Sequence, residues 1–124
     1  MTQEEYNKLV AELQQRGYRK YPSPRFRVDD DWAWLKSFGE SKHQEGRSNY
    51  QICFDVTDFS PYADREPFFR DNPYGIVPLV LISRTVDERV DLQLSYTKVK
   101  DNNIDEIERL AESFYKWVEK EIAI

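Results

Sequence analysis

Residues 50–57 read YQICFDVT, and this stretch decides the fold class. Large apolar side chains stand at every second position from Tyr50 to Val56, and smaller or polar side chains stand between them. A period of two is typical of a β-strand that buries one face and leaves the other wetter. The same alternation recurs at residues 90–96, VDLQLSY, so we predict a second strand of this kind there.

Three further segments are predicted as strands. Residues 32–38 alternate around two tryptophans, and residues 76–86 begin with a run that is apolar on both sides. Residues 17–21 form a first, irregular strand, with residues 25–28 as a candidate continuation beyond two prolines. The connection at residues 60–74 contains three prolines, so any helix within it is limited to a turn or two.

A helix is predicted on each side of these strands. Thr2 and Glu5 have the spacing of a capping box, and Gly17 follows the last apolar residue of the first helix, where a left-handed glycine would end it. The second helix, near the end of the chain, carries a broad apolar stripe. We expect Phe114 and Trp117 of this stripe to be buried against the sheet.

These elements predict a single α+β domain over residues 1–124. We expect an antiparallel sheet of about five strands with the N-terminal and C-terminal helices packed on one face, in the order α-β-β-β-loop-β-β-α. This order resembles that of the small acidic secretion chaperones, which also place helices before and after a sheet. The resemblance implies a protein that dimerises.

Composition and charge exclude several classes of protein. The 124 residues carry 18 basic and 23 acidic side chains, and the net charge of −5 disfavours a general nucleic-acid coat. A single cysteine excludes a disulfide scaffold, and one cysteine with one histidine leaves too few ligands for a Cys/His metal site. No cofactor motif is present, so we predict no cofactor and no metal.

We expect neither a signal peptide nor a membrane-spanning segment. The first residues, MTQEE, have neither the basic nor the apolar region of a signal peptide. The longest apolar run, residues 76–82, is too short to cross a bilayer and contains Pro78. We therefore expect a cytoplasmic protein that is not bound to a membrane.

One basic segment stands out in this acidic chain. Cations and aromatic residues interleave from Arg16 to Arg27, a pattern that suits single-stranded nucleic acid. Three aspartates follow at once and would repel phosphate, and a charged edge strand that resists aggregation explains the same residues. We therefore expect no strong binding of nucleic acid, and the candidate anion-binding residues are Arg16, Arg19, Lys20, Arg25 and Arg27.

Aromatic residues give the leading candidate for a binding surface. Residues 32–38 and 76–86 offer more apolar area than two helices can cover, so either the loop at residues 60–74 or another chain must cover the remainder. We expect Trp34, Tyr74 and one of two adjacent phenylalanines to be partly exposed. The predicted partner-binding residues are Trp32, Trp34, Phe68, Phe69 and Tyr74.

The sequence thus predicts a small non-catalytic interaction protein, of the accessory kind found in bacteria and their mobile elements. Its partner would be another protein or a second copy of the chain. Two alternatives stay open. One is a small enzyme with a site built from carboxylates and tyrosines, for which no catalytic residue can be assigned. The other is a weak binder of single-stranded nucleic acid through the basic segment.

Overall fold

The computed structural model describes residues 1–22, 31–40, 48–75, 78–86, 89–96 and 103–122. Within these ranges the strands form one five-stranded antiparallel sheet in the order β1-β2-β3-β4-β5, with long helices at either end of the chain. The predicted α+β class and element order are confirmed. The bounds are α1 Gln3–Gln15, β1 Arg19–Pro22, β2 Asp31–Glu40, β3 Ser48–Thr57, α2 Pro67–Asp71, β4 Leu79–Val86, β5 Arg89–Tyr96 and α3 Ile104–Trp117, which continues as a π-helical segment, Val118–Ile122.

Both ends of α1 follow from local sequence. The Thr2 hydroxyl accepts a hydrogen bond from the Glu5 amide at 3.1 Å, and the Glu5 carboxylate accepts one from the Thr2 amide at 3.2 Å, so the predicted capping box is present. At the other end Gly17 has a φ of +90°, a left-handed conformation that favours glycine. The Tyr18 amide then bonds back to the Leu13 carbonyl at 3.0 Å and closes the helix.

The strand register decides which side chains share a face. Trp34 of β2 lies opposite Phe54 of β3, and Phe54 lies opposite Val80 of β4, so these three side chains lie on one face. Both long helices pack on this face, which we call the covered face. The opposite face, which carries Leu35 and Cys53, is called the second face. The largest fully buried side chains are Leu13, Tyr50, Phe54, Val80, Ile82, Ile104, Ile107 and Val118.

Helix α3 packs on the covered face, with one correction to the sequence prediction. Phe114 is 9% exposed and its ring meets the Tyr50 ring edge to face at 6.1 Å, as expected. Trp117, predicted to be buried, is 54% exposed. That prediction was wrong because the buried stripe of α3 runs through Ile107 and Val118, and Trp117 projects from its side.

The connection between β3 and β4 packs against α1. It contains a 3-10 turn, Ser60–Tyr62, and the five-residue helix α2, so the prediction of a turn or two of helix is confirmed. The Tyr74 amide donates to the Met1 carbonyl, and the Tyr74 hydroxyl donates to the Gln3 side chain at 2.8 Å. These bonds fix the end of the connection beside the first turn of α1. Among the described helices, none has the length and apolar character needed to cross a membrane.

Candidate interaction surface

Four aromatic rings gather on the connection between β3 and β4, and we call them the loop cluster: Phe59, Tyr62, Phe68 and Phe69. Phe69 is at the centre. It stacks on Phe59 with ring centroids 4.9 Å apart, meets Phe68 edge to face at 5.5 Å and lies 6.1 Å from Tyr62. The four rings pack on one another and are not part of the main hydrophobic core.

Two rings of the loop cluster are open to solvent. Tyr62 is 44% exposed and Phe68 is 47% exposed, while Phe59 and Phe69 are half-buried beneath them. The expectation that one of the two adjacent phenylalanines is partly exposed is therefore confirmed for Phe68. An exposed group of aromatic rings of this kind is typical of a surface that binds another molecule.

Of the two predicted tryptophans, Trp34 does not extend this surface. Trp34 is 5% exposed and its indole N–H points to the Tyr6 hydroxyl at 3.4 Å, so the expectation that it is partly exposed was wrong. It lies on the covered face because Trp34 is in register with Phe54. Trp32 contributes its backbone to β2, and its side chain lies outside the described part. Tyr74 is half-buried against the core, as expected for a partly exposed ring.

Sequence reasoning missed Phe59 and Tyr62. A usable signal was present, because Pro61 and Pro67 each occupy the first turn of a short helical segment. Two such turns place aromatic residues that are far apart in an extended chain on one side of a compact loop.

The segment that carries the loop cluster is acidic. Residues 58–71 contain four carboxylates and two arginines, which gives the segment a local net charge of −2. The first turn of α1, beside the end of this segment, adds Glu4 and Glu5. The exposed rings therefore belong to a segment with more acidic than basic side chains, and the Met1 ammonium, which donates to Asn72 and Gly75, places one positive charge at its end. The charged residues of the segment are Asp58, Asp64, Arg65, Glu66, Arg70 and Asp71.

The basic segment is divided among different surroundings. The Arg16 guanidinium lies 2.8 Å from Glu12 and 2.7 Å from Asp105, and its Nη1 is 3.6 Å from Glu108. The hydrogen bond from Arg16 holds the pKa of Asp105 below its usual value. Because three carboxylates surround Arg16, its charge joins α1 to α3 and is not available for an external anion.

The other predicted cations do not form one surface with Arg16. Arg19 is in register with Leu35, and Lys20 is in register with Trp34, so the two cations point to opposite faces of the sheet. Arg25 and Arg27 lie outside the described residues. The described cations therefore lack the continuous stripe that a nucleic-acid strand requires.

A tyrosine, an arginine and a carboxylate meet inside the core. The Tyr50 hydroxyl donates to Glu119 at 3.0 Å, and Arg84, itself 4% exposed, bonds to the same tyrosine. Burial and then the bond to Glu119 raise the pKa of Tyr50 to about 12. The tyrosine is closed to solvent and stays protonated at neutral pH, so this group stabilises the packing of α3 on the sheet. In the described ranges, no three Asp, Glu, His or Cys side chains gather as a metal site would require.

Comparison with known proteins adds no further constraint. The chain matches no protein-family model, no curated protein sequence and no solved structure. The resemblance to secretion chaperones therefore rests on element order alone.

Proposed function

We propose that this protein is a non-catalytic interaction protein whose loop cluster binds a basic, apolar-faced segment of another protein. One observation carries the proposal: Tyr62 and Phe68 are nearly half exposed on top of two further rings, outside the main core. Aromatic anchors of this size supply much of the binding energy at protein interfaces.

The loop cluster is held in place before any partner arrives. Phe69 contacts all three other rings, and the Phe59 amide bonds to the Pro73 carbonyl across the base of the loop. Tyr74 ties the same end of the loop to α1. A rigid loop loses little conformational entropy on binding, which favours affinity.

Charge determines the kind of partner. The carboxylates around the loop cluster favour a segment that carries lysine or arginine beside its apolar side chains. A second copy that docks through the same surface would place these carboxylates against each other, which disfavours a symmetric dimer at this site.

The chain supplies a matched control for testing this surface. Trp117 is as exposed as the two outer rings of the loop cluster, but it stands on α3. Trp117→Ser therefore removes an exposed ring away from the loop cluster and serves as the control. The double substitution Tyr62→Ser with Phe68→Ser removes both exposed rings of the loop cluster. Neither variant removes a ring of the main core.

The experiment captures partners from cells of the source organism with the tagged full chain and both variants. Partners retained by the wild type and by Trp117→Ser, but lost by the double variant, are then purified and their affinity is measured. We expect at least about a 30-fold weaker affinity for the double variant, as for interface hot spots, and weaker binding at high salt. Equal affinity of the double variant would refute the proposal.

Light scattering of the purified chain tests whether a second copy of the chain binds to the loop cluster. We expect no dimer that depends on the loop cluster. A dimer that dissociates in the double variant would make a second copy the partner, against the charge argument.

A further inference from the structure

A groove opens on the second face of the sheet, away from the loop cluster. It has a volume of about 400 Å³ and crosses β1, β2 and β3. This volume falls within the range that small-molecule sites occupy. The residues that line the groove are Gly17, Arg19, Tyr21, Leu35, Lys36, Ser37 and Gln51.

The strand register gives the groove its shape. Arg19 lies opposite Leu35, and Ser37 lies opposite Gln51, so these four side chains lie on the second face across three strands. Strand spacing and rise make this area roughly 10 Å by 13 Å. At one end Gly17 leaves open space, because a Cβ added there would meet nothing within 4 Å.

Four polar side chains of the groove have no described partner. Arg19, Tyr21, Ser37 and Gln51 form no side-chain hydrogen bond or ion pair with any residue that the structure describes. Arg16, three residues away, is surrounded by carboxylates in contrast. A guanidinium, a phenol, a hydroxyl and an amide thus converge on one concavity with their hydrogen-bonding capacity available.

The groove is positive in a negative protein. Its described lining includes two cations and no carboxylate, while the whole chain carries a net charge of −5. The Lys36 ammonium points the other way, toward Glu108 at 3.7 Å and over the Tyr18 ring. The charge that a ligand would meet in the groove is therefore that of Arg19.

We propose that this groove binds a mononucleotide. Arg19 would hold the phosphate as a charge-assisted hydrogen-bond donor, and the exposed ring of Tyr21 would stack on the base. Ser37 and Gln51 would bond to the sugar and the base edge, since each can donate and accept. The site takes one nucleotide and not a strand, because Lys20 faces the other side of β1 and Arg16 is neutralised by carboxylates.

The test is calorimetric titration of the full chain with AMP, GMP, CMP and UMP, with adenosine and inorganic phosphate as separate probes. We expect saturable binding of at least one mononucleotide, and at least tenfold weaker binding of adenosine and of phosphate alone. The proposal would be overturned if none of the four mononucleotides showed saturable binding at millimolar concentration. It would also be overturned if AMP bound but adenosine bound as tightly.

Three substitutions locate the site. Arg19→Ala and Tyr21→Ala should each weaken the mononucleotide at least tenfold, while Lys20→Ala, a neighbouring cation on the other side of the strand, should leave its affinity unchanged. Ser37→Trp fills the groove without altering its charge and should abolish binding. Thermal melts verify that each variant is folded. Binding that survives both Arg19→Ala and Ser37→Trp in folded protein would place the nucleotide elsewhere and overturn the assignment.

Discussion

Tyr6 and Tyr74 stack with their ring centroids 4.0 Å apart and their planes within 12° of parallel. Tyr6 belongs to the buried stripe of α1, and Tyr74 closes the connection that carries the loop cluster. Through this pair, together with the bond from Tyr74 to Gln3, the main core holds the exposed rings in position. The loop cluster is thus fixed to the fold although its rings are outside the core.

Removing the Tyr74 ring should therefore loosen the loop and lower stability. We expect Tyr74→Ala to reduce the free energy of unfolding by about 1–3 kcal/mol, through lost burial and lost ring stacking. Tyr74→Phe keeps the ring and loses only the bond to Gln3, so its loss should be about 1 kcal/mol or less. Urea unfolding of the two variants checks this difference, and equal losses would show that the stacked pair contributes nothing.

Helix α3 should respond very differently at two neighbouring aromatic positions. Phe114→Ala opens a cavity against Tyr50 and should cost about 3–5 kcal/mol of unfolding free energy. Trp117→Ala removes a ring that is mostly in solvent and should change stability by about 1 kcal/mol or less. Thermal and urea unfolding of both variants measure the contrast. A larger loss for Trp117→Ala would contradict the placement of α3 on the sheet.

The sequence predicted the helix but not which of these rings is buried. At about 100° per residue, Trp117 lies roughly 80° from the middle of the stripe formed by Ile107, Phe114 and Val118. Leu110 widens the apolar stripe on the same side, so the pattern alone could not define its edge. Only the position of the sheet beneath α3 shows where burial ends.

The burial of Trp34 could not be predicted from the local pattern for a similar reason. Residues 32–38 are apolar on both faces, so their pattern does not tell which face meets the helices. Pairing of Trp34 with Phe54 decides this, and pairing between strands is a long-range property. The alternation within β3 and β5, in contrast, is local, and both strands were predicted close to their observed bounds.

The raised pKa of Tyr50 predicts that the fold loses stability at alkaline pH. Tyr50 ionises near its ordinary value of 10.0 in the unfolded chain and at about 12 in the folded one, because burial and Glu119 oppose the anion. Its contribution to the unfolding free energy is therefore complete below pH 10 and is lost as the pH rises toward 12. Burial raises the pKa of Tyr18 as well, which acts in the same direction.

Urea unfolding between pH 8 and about 11.5, a range chosen to cover the free tyrosine pKa, checks this limit. Tyr50→Phe should be less stable than the wild type at pH 8, because the bond to Glu119 is lost, and its stability should fall less steeply above pH 10. Parallel curves for the two proteins would contradict the assignment of the alkaline loss to Tyr50.

Photocrosslinking in living cells tests the proposed binding role of the loop cluster most directly. A benzoylphenylalanine is placed at position 68 in one full-length chain and at position 117 in another, since both native rings are exposed to a similar degree. If the loop cluster is a protein-binding surface, position 68 should give one discrete adduct and position 117 should give none. No adduct at position 68, or the same adducts from both positions, would contradict it.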